Sequence, residues 1–197
     1  MGRKSKAKVR QKEILSHFYD VIIDEGFEGA SIAKIAKRMD VNPSLLIHYF
    51  STKDAMVLGL MDHIVSTYSA QLFPDFSEVS DPKERWDDVL EVSSQIQWDR
   101  IMNGTVFFSF YTLALRMPEI KKRFNSLYDG IRSTLTHEIQ LAHKAGIINV
   151  QDADLEAEKM ISIIEGHNFY HNLKEEGENT DRRSTILKDH LHALFQS

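Results

Sequence analysis

The chain has 197 residues, 42% hydrophobic and 27% charged, with a formal net charge of −5. That length suits one compact core, or a small module sharing an extended helical core with a larger one. No apolar run approaches the roughly 18 residues of a membrane span, and the absence of cysteine excludes disulfides, thiolate zinc sites, cysteine nucleophiles and thiol redox sensing.

The first element is a basic arm of Arg3, Lys4, Lys6, Lys8, Arg10 and Lys12 with no acid among them. No apolar h-region follows it, so a signal peptide is not expected, and the chain is expected in the cytoplasm with no membrane partner. Residues 1–70 hold 10 basic and 8 acidic side chains, whereas residues 71–197 hold 14 and 21. A positive head on an acidic body suits a protein with one end facing phosphates.

Nearly every segment then reads as helix, because Pro and Gly are few and alternating apolar-polar runs are scarce. Ile14, Leu15, Phe18 and Ile22 predict a first helix over residues 7–25, with Gly26 as a left-handed stop. Ser31 is placed to cap a second helix, with Ile32, Ile35 and Ala36 facing inward and an end near Met39. Asp40 and Val41 form a turn. Pro43 opens a third helix reaching about Phe50, since its missing N–H would have no intrahelical partner there, and Thr52 caps a fourth. Residues 72–80, with Pro74, read as a linker. Asp81-Pro82-Lys83-Glu84 then combines an N-cap, a first-turn proline and an acid. Further helices are expected over residues 82–102, 105–116, 118–145, 153–173 and 181–195, separated at Gly104, Pro118, Gly146 and Gly177.

Residues 31–53, SIAKIAKRMDVNPSLLIHYFSTK, carry the functional signal. Two short helices flank a turn too brief to be a linker, an arrangement in which the first helix braces the second for entry into a major groove. Ile35, Ala36, Val41, Leu46 and Phe50 are expected to hold the unit together. Ser44, Leu45, Ile47, His48 and Tyr49 are left on or near its outer side. Leu45 and Ile47 can touch thymine methyls, and His48 can hydrogen-bond a base edge.

Ile35-Ala36, Val41, Asn42-Pro43, Leu46, His48-Tyr49-Phe50 and Thr52-Lys53 occur in an order that resembles the signature of the tetracycline-repressor (TetR) family. The Phe18 to Ile22 stripe, Gly26-Phe27 and Ser31 also fall where that family places its first helix and the start of its second, so the resemblance covers about residues 10–65. Asp40 departs from the family's usual glycine and must sit in or near the left-handed region, at some cost. Leu45 and Ile47 stand where Thr and Tyr are commoner, and His17 where a small residue is common. The resemblance implies that Ser31, Ser44, Tyr49 and Lys53 contact phosphates, that Leu45 and His48 face bases, and that Lys34 lies close to the DNA backbone.

It further implies a C-terminal small-molecule cavity and a dimer interface. Trp98, Phe107, Phe108, Tyr111, Ile131, Leu135 and His167 are expected to line the cavity, an apolar space with few polar groups. A filled hydrophobic core would use the same residues. The last two helices carry Leu155, Met160, Ile161, Ile164, Phe169 and Leu173, then Ile186, Leu187, Leu191, Leu194 and Phe195, apolar on more than one side. Pairing them with a second subunit would hide the surplus in a four-helix bundle, with Gly166 permitting close approach.

His167 and His171, at i and i+4, could chelate one ion, but no Glu-x-x-His occurs to support a helical di-metal enzyme. Ser31-Ile-Ala-Lys34 matches a Ser-x-x-Lys string yet lies in the reading unit without partner motifs. No catalytic residue, metal or cofactor is assigned. The expectation is an all-α chain with a helix-turn-helix DNA-binding domain over residues 1–55 and a helical ligand-binding and dimerisation domain over residues 56–197. Its expected function is transcriptional repression by a homodimer that binds a palindromic operator in double-stranded DNA and is released by a largely apolar small-molecule effector. The alternative is a nucleoid- or division-associated DNA-binding protein with the same reading head and no small-molecule switch, which a closed, filled C-terminal core would favour.

Overall fold

Side-chain caps set where the helices begin. Ser31 Oγ accepts the Lys34 N–H at 3.3 Å, Asn42 Oδ1 that of Ser44 at 2.9 Å, and Asp81 Oδ1 that of Glu84 at 2.8 Å. Each satisfies an amide that has no partner inside its helix. The computed structural model describes residues 3–72, 75–96, 103–173 and 180–196. The helices among them are α1 (Arg3–Gly29), α2 (Ile32–Arg38), α3 (Pro43–Tyr49), α4 (Lys53–Leu72), α5 (Pro82–Ser94), α6 (Gly104–Ala114), α7 (Pro118–Lys144), α8 (Ala153–Asn172) and α9 (Thr180–Leu194), and no strand occurs among the described residues. The all-α expectation holds. A single 3-10 turn, Phe76–Glu78, interrupts the expected linker.

Three borders differ from the sequence reading. α1 begins at Arg3, ahead of the expected start at residue 7, so the whole basic arm lies on the first helix. Gly26 stands where the stop was expected, but it kinks α1 at φ 73°, ψ 166°, and one more turn follows to Gly29. Only glycine adopts that conformation readily. α5 was expected to run to residue 102 and ends at Ser94. Consecutive serines support a helix weakly, and Asn168 Nδ2 from α8 takes the Ile96 carbonyl at 2.9 Å.

The chain divides into two compact units, Met1–Tyr68 with Met102–Asn125, and Ser69–Ile101 with Ser126–Ser197. In the first, α1 packs chiefly on α6 and α2, and α2 on α3. Phe18, Ile22, Ile35, Leu46, Met56 and Phe110 are fully buried there. Tyr19 Oη accepts the Asn103 N–H at 2.7 Å at the start of α6, and Arg123 of α7 grips Asp62 of α4 with hydrogen bonds of 2.5 and 3.0 Å.

In the second unit α9 packs on α5 and α8. Arg85 Nε and Nη2 both reach the buried Glu138 carboxylate at 2.7 Å, a fork that ties α5 to α7. Removing one partner would strand the other charge, at a cost of about 3–5 kcal/mol. Leu187 and Leu191, expected as surplus apolar surface for a second subunit, are buried inside this unit, because their shared stripe faces α5 and α8. The large exposed apolar side chains among the described residues of this unit lie on α8 and its C-cap instead, including Leu155, Phe169 at 57% and Leu173 at 72%.

Candidate functional site

The turn between α2 and α3 is built from backbone hydrogen bonds that Asp40 makes possible. The Asp40 N–H donates to Lys37 O at 3.2 Å and the Val41 N–H to Ala36 O at 3.0 Å, with Asp40 at φ 54°. The left-handed aspartate expected from the sequence is present. Asn42 and Pro43 then start α3, which ends as the Phe50 N–H donates to Leu46 O at 2.8 Å. Ile35, Ala36, Leu46 and Phe50 are buried and cement the two helices. Close approach matters behind them too, since a Cβ on Gly59 of α4 would meet the Phe50 ring at 3.0 Å.

What α3 leaves outward is Ser44, Ile47 and His48, all exposed, with Leu45 and Tyr49 half-buried at the edges. The His48 and Tyr49 rings meet edge-to-face at 5.2 Å. This surface offers a methyl-contacting side chain, a hydroxyl and an imidazole on a helix rigidly capped at its start, the chemistry that direct readout of base edges uses.

Three cations beside it are held by α1. Lys34 Nζ bonds Glu25, and Arg38 bonds Asp24 with Asp20 at 3.7 Å. The Asp24 hydrogen bond keeps the Arg38 guanidinium pKa above its ordinary value. Lys53 Nζ donates to Phe27 O at 3.0 Å, and Ser31 Oγ is engaged as the α2 cap. Ser44, Leu45, His48 and Tyr49 thus share one short helix, while Ser31, Lys34 and Lys53 are each tied to their own surroundings. Neither Arg38 beside Lys34 nor Phe27 as the anchor of Lys53 was singled out from sequence. Their partners lie 14 and 26 residues away, with no local signal.

The residues expected to line a cavity divide between the two units. Phe107, Phe108 and Tyr111 cluster on α6, with Phe107 edge-on to Phe108 at 5.5 Å and to Phe124 at 6.1 Å. Ile131 and Leu135 are buried on α7. Trp98 lies outside the described residues. His167 lines a groove of about 630 Å³ between α8 and α9, together with Ile163, His171, Arg183, Ile186 and His190. Burial first, then the neighbouring His171, Arg183 and His190, push the His167 pKa down to about 4. The His167 and His171 rings lie 4.3 Å apart. Among the described residues no group of three or more histidine, aspartate and glutamate side chains is gathered closely enough to hold a metal ion, and no helix is long and apolar enough to cross a membrane.

Two family models match the chain, one described as bacterial regulatory proteins, tetR family, over residues 14–60, and one as tetracyclin repressor-like, C-terminal domain, over residues 87–197. The HTH-type transcriptional regulator PksA of Bacillus subtilis is 26% identical over 186 residues, covering 94% of this chain and 89% of its own. BetI of Rhizobium meliloti, also an HTH-type transcriptional regulator, is 22% identical over 189 residues, covering 96% and 91%. A putative transcriptional regulator from Saccharomonospora viridis, solved with choline, has a similar fold at a TM-score of 0.80 and 20% identity, covering 94% of this chain and 96% of that one. AibR, solved with isovaleryl coenzyme A and operator DNA, matches at 0.70 and 17%, covering 92% and 97%.

Proposed function

The chain belongs to the tetracycline-repressor family of bacterial regulatory proteins, and from that premise we propose that it is a homodimeric repressor which binds a palindromic operator and leaves it when a small molecule binds. Residues 1–55 read DNA, and residues 56–197 hold the effector and the second subunit. The observation that carries the reading is the outer face of α3, where Ile47 and His48 stand exposed on a helix capped by Asn42. Side chains of that kind serve a groove better than they serve water.

Ser44, Tyr49 and Lys53 with Ser31 and Lys34 position the head on phosphates, and Leu45 and His48 face bases. Phosphates would take over cations that Glu25, Asp24 and Phe27 now hold, which favours sites where base contacts add their share. Leu155 and Phe169 on α8 and Leu173 at its C-cap, with exposed Ser162 and Gly166 between Leu155 and Phe169, supply the apolar face for a second copy. The effector enters a largely apolar site in the second unit that includes Ile131, Leu135 and His167, and shifts the population toward a different spacing of the two α3 helices. Choline and isovaleryl coenzyme A, bound by similar folds, are precedents for small effectors of differing chemistry.

Sequencing the genomic DNA fragments retained by the purified protein tests the proposal. A shared inverted repeat with half-sites about one helical turn apart is the expected result. Retention without a palindrome would favour the nucleoid-associated alternative.

A further inference from the structure

Two deeply buried polar groups of the second unit have no hydrogen-bond partner among the described residues. Ser93 on α5 is 0% exposed and Asn168 on α8 is 1% exposed, yet neither Ser93 Oγ nor Asn168 Oδ1 meets a donor or acceptor. The other half of the Asn168 amide is satisfied, since Nδ2 donates to Ile96 O at 2.9 Å. That bond sets the amide's orientation, because exchanging its oxygen and nitrogen would press two carbonyl oxygens together. The Ile96 N–H reaches the Ser93 carbonyl at 3.4 Å, so the Ile96 backbone just past α5 is bonded to both residues.

Serines in these helices ordinarily turn their hydroxyls back on the backbone. Ser94 bonds Glu91 O at 2.7 Å, Ser109 bonds Thr105 O at 2.7 Å and Ser162 bonds Glu158 O at 2.9 Å. Ser93 does not. An unmet buried polar group costs about 1–3 kcal/mol, and alanine at position 93 would remove that cost while favouring the helix. Packing therefore gives no reason for a serine here, whereas a bound molecule does.

We infer that Ser93 and Asn168 are the polar anchor of a binding site for a small neutral molecule that presents a hydrogen-bond donor, a hydroxyl or an amide N–H. Asn168 Oδ1 can only accept, and the Ser93 hydroxyl can accept or donate. Two neutral groups satisfy a neutral O–H or N–H, whereas an ion brought beside them would lose its hydration with no countercharge from either. The inference rests on the ligand-responsive reading and names the chemistry of its effector.

Calorimetric titration of the full-length protein with phenol and with toluene tests it, because these probes are nearly isosteric and differ by one hydroxyl. Phenol is expected to bind about tenfold tighter than toluene, the worth of one satisfied hydrogen bond. Ser93→Ala should raise the Tm of the unliganded protein by about 2–4 °C, cut phenol affinity about tenfold and leave toluene unchanged. Equal affinities for the two probes, or binding of neither, overturns the inference. So does a stabilised Ser93→Ala protein that binds phenol as before, which would leave the two groups to a buried water. Operator release is scored separately. Phenol binding that weakens operator affinity in the unmodified protein but not in Ser93→Ala ties this site to release, whereas phenol binding that leaves operator affinity untouched keeps the site and defeats its part in release.

Discussion

Lys53 Nζ lies 4.6 Å from the centre of the Phe27 ring while donating to the Phe27 carbonyl at 3.0 Å, so one ammonium closes the kinked end of α1 against the start of α4. The Phe27 carbonyl, next to the Gly26 kink, also accepts the Ala30 N–H at 3.3 Å. An isolated cation–π contact of this kind is worth about 0.5–1 kcal/mol. The same lysine is one of the phosphate contacts proposed above, and the two roles predict different results.

Lys53→Met keeps the aliphatic stem and removes the charge. Affinity for operator and for random DNA should fall by similar factors, and the slope of log affinity against log salt should flatten by about 0.9, the loss of one phosphate contact. Fluorescence anisotropy across a salt series measures both. An unchanged slope with a lower Tm would make Lys53 a structural tie and nothing more.

His48→Ala should act on base preference. It stands exposed at the outer face of α3, where its ring packs edge-on against Tyr49. Discrimination between the operator and a site altered at one base pair should shrink by about 1–3 kcal/mol, with affinity for random DNA nearly unchanged. Equal losses on both DNAs would place the groove-facing side elsewhere.

Dimer formation should respond to α8 and not to the core of α9. Phe169→Asp with Leu173→Asp puts charges on exposed apolar surface, so sedimentation should show folded monomers that no longer bind a palindromic site tightly. Leu191→Asp places a charge at a position 0% exposed within its own unit, and circular dichroism should report unfolding instead. A fully helical Leu191→Asp monomer would mean that α9, not α8, carries the interface.

His167 makes stability depend on acid. Its pKa of about 4 in the fold lies below the ordinary histidine value near 6.5, so the unfolded chain binds the proton more readily. Stability is therefore full above about pH 6.5 and declines as pH falls toward 4. The His167 side chain is only partly buried, which moderates the size of the effect. Urea midpoints at pH 7.5 and pH 5 should differ less in His167→Gln than in the unmodified protein. An identical difference would assign the acid sensitivity to other groups.

What could be read from the residues alone was local. Ser31, Asn42-Pro43 and Asp81-Pro82 act on amides two or three positions away, and Gly26 and Asp40 act through their own backbone angles, so the second, third and fifth helix starts, the left-handed backbone at Gly26 and the reading turn were legible before any packing was known. The family resemblance at residues 31–53 rested on the same short-range pattern. Partners distant in sequence were not legible. Helical spacing marks Leu191 and Leu173 as apolar equally, and only the placement of α5 beside α9 decides that Leu191 is covered while Leu173 faces outward. Nor could any pattern show that Asn168 would reach back 72 residues to the Ile96 carbonyl, or that Ser93 would be left without a partner beside it. Capping is satisfied by the nearest amide, but burial and hydrogen-bond satisfaction depend on which surfaces the whole chain brings together.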